Sequence, residues 1–248
     1  MRPCLVAATA AALAAAGCGG EAAAPAAPEP AAFEVVAVAE PTGPKADTGP
    51  KGRWLTARVL RRTPLRAAPG GRVVARIGRR TEFGSARVLG VTGRRDGWLR
   101  VIAAERPNGR DGWIRARAAR LGATDVSLHV DRSRRRLVVR RGDRVLRRVT
   151  IAVGRPDTPT PTGRFAVTDR LRSSREDSPY GCCAVALSGH QTKLLPGWPG
   201  GDRLAVHGTQ QPETIGHEVS LGCMRASTAD MHALMRAVPL GAPVFVRD

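Results

Sequence analysis

Apolar residues in this chain come in short runs, each cut off by a turn signal, and that pattern leaves room for little besides β-structure. From Trp54 onward the runs are Arg58-Val59-Leu60, Val73 to Ile77, Ala86 to Val91, Trp98 to Ile102 and Trp113-Ile114. Gly70-Gly71, Asn108-Gly109 and Asp111-Gly112 punctuate them and supply the positive φ that tight hairpins need. The pattern resumes at Val126-Ser127-Leu128-His129-Val130, Leu137-Val138-Val139-Arg140 and Val145 to Val153, with a turn at Arg141-Gly142-Asp143. In one place the period becomes helical. Met231, Leu234, Met235 and Val238 fall at i, i+3, i+4 and i+7, Ser227 and Asp230 are spaced like a capping box, and Pro239 stops the run. The expectation is a mainly β chain: a small β-barrel, then a second β-unit with one C-terminal helix whose methionines fill the core. Thr158-Pro159-Thr160-Pro161-Thr162-Gly163 cannot join a central strand, because both prolines lack an amide donor. It reads as an exposed loop ahead of a strand at Phe165-Ala166-Val167.

The N-terminus points to export. Met1-Arg2-Pro3-Cys4 precedes an apolar run from Leu5 to Ala16, and Ala15-Ala16-Gly17-Cys18 ends it. The run is about a dozen residues where a membrane span needs about 20. Residues 1–18 resemble a bacterial lipoprotein signal, which implies lipidation of Cys18. An ordinary cleaved signal is the alternative, since Ala15 stands where lipoprotein signals prefer Leu. Residues 19–53, rich in Pro and Ala, form no packed core and read as a tether, with a brief strand at Phe33 to Val38. The remainder is expected in the cell envelope, outside the cytoplasm and touching the membrane through a lipid anchor only.

Net charge is +19, and all but three of the 40 basic residues are arginines. They are densest from 54 to 120, where 17 arginines face four acidic residues. Such a surface attracts anionic wall polymers or lipid headgroups, unless the arginines only solvate strands. Export argues against nucleic acid as the partner.

Chemistry concentrates between Leu204 and Ala226. Leu204-Ala205-Val206 reads as a strand delivering His207-Gly208-Thr209; a loop through Ile215-Gly216 leads to Ser220-Leu221-Gly222-Cys223-Met224-Arg225. A thiol at its ordinary pKa is only a few per cent thiolate at neutral pH, so a nucleophilic cysteine needs a base, which His207 can supply. Gly222 permits a turn closed to other residues, and the Gly222 and Cys223 amides would then face an oxyanion. On spacing alone a buried structural cysteine is equally open. No Cys-x-x-Cys occurs, and His129, His190 and His232 lack ligand spacing, so neither metal nor cofactor is expected.

These residues resemble the L,D-transpeptidases with a YkuD-type catalytic domain, from about Asp125 to Asp248. The likeness rests on residues 158–165, on Ala184 to Gly189, on His207-Gly208-Thr209 with Ile215-Gly216, and on Ser220 to Arg225. It implies a β-sandwich in which the cysteine matching Cys223 attacks a carbonyl of a peptidoglycan stem tetrapeptide. It further implies that His207 takes the thiol proton, that the Gly208 carbonyl orients the imidazole, and that terminal D-alanine leaves before an amine resolves the thioester. Arg225, Ser220, Thr209 and Tyr180 become candidate substrate contacts. Two positions depart from the family: Leu221 stands for its usual His and Arg225 for its usual Asn; His217, four residues before Leu221, reads as a plain surface histidine ahead of a partial substitute. A carboxypeptidase that uses water as acceptor, and a non-catalytic wall-binding lipoprotein, stay open; the intact His207, Gly222 and Cys223 argue against the second.

Residues 54–121 resemble bacterial SH3-like domains through Thr63 to Gly70, Asp96 to Val101 and Gly112-Trp113-Ile114. That family often binds cell-wall material, with Trp98 and Trp113 as core or as ligand platform. After export and lipidation the cysteines are Cys182, Cys183 and Cys223. An odd number fits one free nucleophile, the other two being reduced, paired together, or partnered elsewhere.

Overall fold

The structure, a computed structural model, describes residues 33–34, 53–197 and 200–248. The export signal, Cys18 and nearly all of the tether lie outside the described residues. Along the chain run β1 (Phe33–Glu34), β2 (Trp54–Val59), β3 (Thr63–Arg66), β4 (Val73–Ile77), β5 (Val88–Arg95), β6 (Trp98–Ile102), β7 (Gly112–Arg115) and β8 (Ala119–Thr124). The second half holds β9 (Val126–Asp131), β10 (Arg136–Arg141), β11 (Arg144–Thr150), β12 (Val153–Gly154), β13 (Gly163–Ser173), β14 (Cys183–His190) and β15 (Arg203–His207). It closes with β16 (Glu218–Ser220), β17 (Met224–Arg225), the helix α1 (Thr228–Ala237) and β18 (Pro243–Arg247).

Strands β2 to β8 form a seven-stranded sheet in the order β4-β3-β7-β6-β5-β2-β8. It curls around Ala57, Leu65, Ile77, Leu99, Val101 and Ile114, the inward side of each alternating strand. The reading from sequence missed two strands here. β3 runs through Pro64, which is tolerated because β3 meets β7 only at Arg66↔Trp113, leaving the proline no ladder amide to supply. β8 pairs with β2 as far as Trp54↔Thr124, so the first unit extends three residues past Leu121.

The second sheet runs β11-β10-β9-β18-β13-β14-β15-β17, with β1 pairing on β13. β12 and β16 pair in parallel apart from it. The apolar run from Val145 to Val153 is thus two strands, since the chain leaves β11 at Thr150 and joins β16 at Val153. Fully buried Leu128, Leu137, Phe165, Val185, Leu187, Leu204 and Met224 form this core. Helix α1 adds Met231, Leu234 and Met235, and its N-cap Ser227 accepts the Asp230 N–H at 3.1 Å. β14 and β15 are buried along nearly their whole length and present their ends to the site.

Removing the cap by Ser227→Ala should cost about 1 kcal/mol, and Met231→Ala, which opens a cavity under the helix, about 2–5 kcal/mol. Urea midpoints at unchanged slope measure both; equal losses would contradict the packing.

Candidate active site

His207 is the last residue of β15, paired with Ala184 on one side and Arg225 on the other. Gly208 N–H donates to Cys183 O at 3.0 Å and Ala226 N–H to His207 O at 2.9 Å, so backbone on both sides is fixed. The imidazole is only 5% exposed, and its Nδ1 lies 2.5 Å from Gly208 O. A carbonyl can only accept, so Nδ1 carries the hydrogen and Nε2 keeps its lone pair. Tyr180 sets its ring edge-on to the imidazole, 5.0 Å between centroids. That approach depends on Gly181, whose φ is +60° and where a Cβ would stand 2.6 Å from Thr209 N. Burial, the largest influence, pushes His207 down to about 4; the Gly208 bond opposes this and the Arg225 charge adds to it.

Cys223 lies just before β17, half-buried, its S–H donating to Arg203 O at 3.7 Å. Burial pushes this thiol up, against smaller opposing effects of the Ala205 backbone and the Arg225 charge. With the thiol raised and the imidazole lowered, both groups rest neutral at pH 7.

The loop carrying Cys223 is held by its own carbonyls. Thr158 Oγ1 donates to Ser220 O at 3.2 Å, Thr160 Oγ1 to Gly222 O at 2.8 Å, and Gln191 Nε2 to Leu221 O at 2.9 Å. Gln191 Nε2 also reaches Thr158 O and Pro159 O, both at 3.2 Å. Gly222 sits at φ +119°, and a Cβ there would overlap Gln191 Nε2, so backbone conformation and space both require glycine.

Three expectations change. The Thr-Pro repeat is not an exposed loop: Thr158 and Thr160 are 2% and 0% exposed because their hydroxyls are spent on the Cys223 loop. Ser220 is buried, donating to Cys223 O at 2.5 Å and accepting the Gly222 N–H at 3.0 Å, which makes it a staple within the loop and no substrate contact. The same bond engages, inside the loop, the Gly222 N–H that was expected to face an oxyanion.

Arg225 is half-buried, its guanidinium 3.1 Å from Gln211 Oε1 and 3.4 Å from Thr214 Oγ1, and Thr209 Oγ1 accepts the Gln211 N–H at 3.0 Å. Burial and the neighbouring Cys223 push Tyr180 up. Leu221 is half-buried, and His217 is exposed. Cys182 and Cys183 are joined as a disulfide, and His232 of α1 brings a third ligand-type atom within 4.8 Å of them. Gln191 went unnoticed in the sequence; its one signal was its place just after a strand, with no local pattern to mark it.

Residues 125–246 match the model of the YkuD family, the L,D-transpeptidase catalytic domain. That segment, just under half of the chain, contains every residue of the site described above. A Bacillus subtilis protein assigned as L,D-transpeptidase YkuD is 34% identical over 104 residues, 42% of this chain and 55% of the relative. A second B. subtilis protein, assigned as L,D-transpeptidase YqjB, is 27% identical over 109 residues, 40% of this chain and 58% of the relative. The chain thus spans little more than half the length of these curated relatives. An L,D-transpeptidase from Mycobacterium tuberculosis overlays at TM-score 0.42 with 22% identity, covering 55% of this chain and 64% of that one. At that score the overlay adds nothing to the match.

Arg225→Gln should move the thiol midpoint to higher pH, because the lost positive charge had favoured the thiolate. The pH dependence of Cys223 alkylation by iodoacetamide reads this directly; a midpoint that stays or falls would contradict the electrostatics.

Proposed function

We propose that this chain is an extracytoplasmic peptidoglycan L,D-transpeptidase with Cys223 as nucleophile and His207 as general base. What carries the reading is the coincidence, inside the matched segment, of a free thiol and a buried imidazole whose tautomer a backbone carbonyl fixes. Neutral partners define the course of the reaction. As Cys223 Sγ attacks the stem-peptide carbonyl, its proton passes to His207 Nε2, and Cys223 N–H meets the developing oxyanion. Collapse breaks the peptide bond, and the imidazolium returns its proton to the leaving D-alanine amine. The thioester is then attacked by an acceptor amine whose proton His207 takes, and expulsion of the thiolate regenerates the thiol. Gly208 O fills the orienting role that an acid fills in a triad. Arg225, Thr209 and Tyr180 are the proposed substrate contacts, the guanidinium suited to a stem-peptide carboxylate.

The unit from 54 to 124 is proposed as an SH3-like wall-binding module and Cys18 as the lipid-anchored residue. Support for the first is the Gly-Trp strands and the arginine density; support for the second is the sequence before Cys18.

Incubated with tetrapeptide-bearing wall fragments, the wild type should release D-alanine and form crosslinked dimers visible by mass. Cys223→Ala should form none while melting normally, and His207→Ala should lose about 10²–10⁴-fold in rate. Tripeptides without dimers would make water the acceptor, and unchanged fragments would overturn the enzyme reading.

Binding to isolated walls should weaken as salt rises from physiological strength to about 1 M, where the screening length falls from about 8 to about 3 Å. Salt-independent pelleting would assign the arginines to composition alone.

A further inference from the structure

Two chains of contact run from the seven-stranded unit to the backbone around Cys223. The first begins at Asn108, between β6 and β7. Its Nδ2 donates to His190 O at 2.7 Å, and its Oδ1 accepts the His190 N–H at 2.9 Å. A single side chain thus stands in for a neighbouring strand at the end of β14. The His190 ring lies across the same junction, Nε2 2.6 Å from Ala104 O and Nδ1 2.9 Å from Asp202 Oδ2. The next residue is Gln191, which grips Leu221 O immediately before Gly222-Cys223.

The second chain passes through Arg203. Glu82 pairs with its NH1, and Phe83 lies 5.8 Å from the guanidinium. On the catalytic side its Nε donates to Leu187 O at 3.0 Å and its NH2 to Thr168 Oγ1 at 2.8 Å. The carbonyl of this same Arg203 accepts the Cys223 S–H. Thr81, beside Glu82, donates its hydroxyl to Asp169, a fully buried residue of β13 paired with Ala186 of β14.

We propose that Asn108 and Glu82 are positioning residues for the Cys223 reaction, so that the seven-stranded unit completes the active site in addition to any wall binding. The inference rests on the proposed function above. Its physical basis is path length: Asn108 is two hydrogen bonds and one peptide unit from the Leu221 carbonyl, and Glu82 is one side chain from the thiol's own acceptor. A displacement of about 1 Å at a reacting group costs up to about 100-fold in rate. Each of these contacts stands between Cys223 and such a displacement. The effect belongs to the chemical step, since neither residue lies where a substrate would bind.

The test uses the full chain as wild type, Asn108→Ala, Asn108→Asp, Glu82→Ala and the Asn108→Ala/Glu82→Ala pair, with a carbapenem as acylating probe and intact mass as readout. Limiting acylation rate and half-saturation are taken separately. The expected result is a limiting rate lower by about 10- to 100-fold in each alanine variant, half-saturation within about twofold of wild type, and a melting temperature lower by only a few degrees, so that the chain stays folded at the assay temperature. Asn108→Asp keeps the acceptor for the His190 N–H and loses the donor to His190 O, so its rate should fall between. Iodoacetamide alkylation supplies a reading that needs no transpeptidase activity: loosening the Cys223 S–H bond to Arg203 O, which favours the neutral thiol, should move the Cys223 midpoint to lower pH in both alanine variants. Alanine variants with wild-type acylation rate and wild-type midpoint would overturn the inference, as would losses that simply follow melting temperature. A wild type that alkylates normally and never acylates would instead overturn the transpeptidase reading, and the alkylation midpoints would then decide the inference alone.

Discussion

The hydrogen bond from His207 Nδ1 to Gly208 O, made within the strand end that carries both residues, organises the site. A carboxylate partner would bring a buried negative charge and strongly stabilise an imidazolium; the carbonyl fixes the tautomer without that charge, and its own favouring of the imidazolium is outweighed by burial. The ring is therefore kept neutral by burial, with Nε2 as its basic face, and a thiol whose own pKa burial raises remains protonated. Charge separates only as the reaction proceeds, which places the demand on oriented dipoles such as Cys223 N–H. The rest of the site follows from keeping β15 still: β14 and β17 flank it, and Tyr180 closes over the ring through the turn at Gly181.

The opposite half of the site is the short turn from the end of β16 to β17, and side chains satisfy its carbonyls. Thr158, Thr160 and Gln191 donate to three consecutive residues, Ser220, Gly222 and Leu221 among them, and Ser220 closes the loop on itself. Buried carbonyls left without donors would each cost of the order of 1–3 kcal/mol. The two prolines bring no amides of their own, and with one residue between them Thr158 and Thr160 face the same way, into the loop. On the His207 side the support is backbone: Cys183 O accepts the Gly208 N–H and Cys182 O the Ser173 N–H.

Most strands were legible because their signal is local: alternation, turn dipeptides, and one helix with its cap and stop. The unread parts depend on distant partners. Pro64 hid β3 because its exclusion from a ladder lapses where the neighbouring strand touches at one residue pair. The Thr-Pro segment looked exposed because its polar side chains have no partner within the segment; they are spent 62 residues away. Ser220 and Gly222 read as substrate and oxyanion groups because proximity to Cys223 in sequence was the only guide, whereas their mutual hydrogen bond is a matter of loop shape. His207, Gly208 and Cys223 stood out in the sequence through the family resemblance, and the structure adds the Nδ1–Gly208 O bond and the burial that lowers the imidazole and raises the thiol.

The neutral thiol–imidazole pair is tested most directly by ¹⁵N resonances of the His207 ring followed from pH 8 downward in wild type and Cys223→Ala. The predicted result is a neutral ring protonated at Nδ1 in both proteins at neutral pH, gaining its second proton only near pH 4. An imidazolium at pH 7 in the wild type that disappears in Cys223→Ala would mean a resting thiolate–imidazolium ion pair, and would contradict the account.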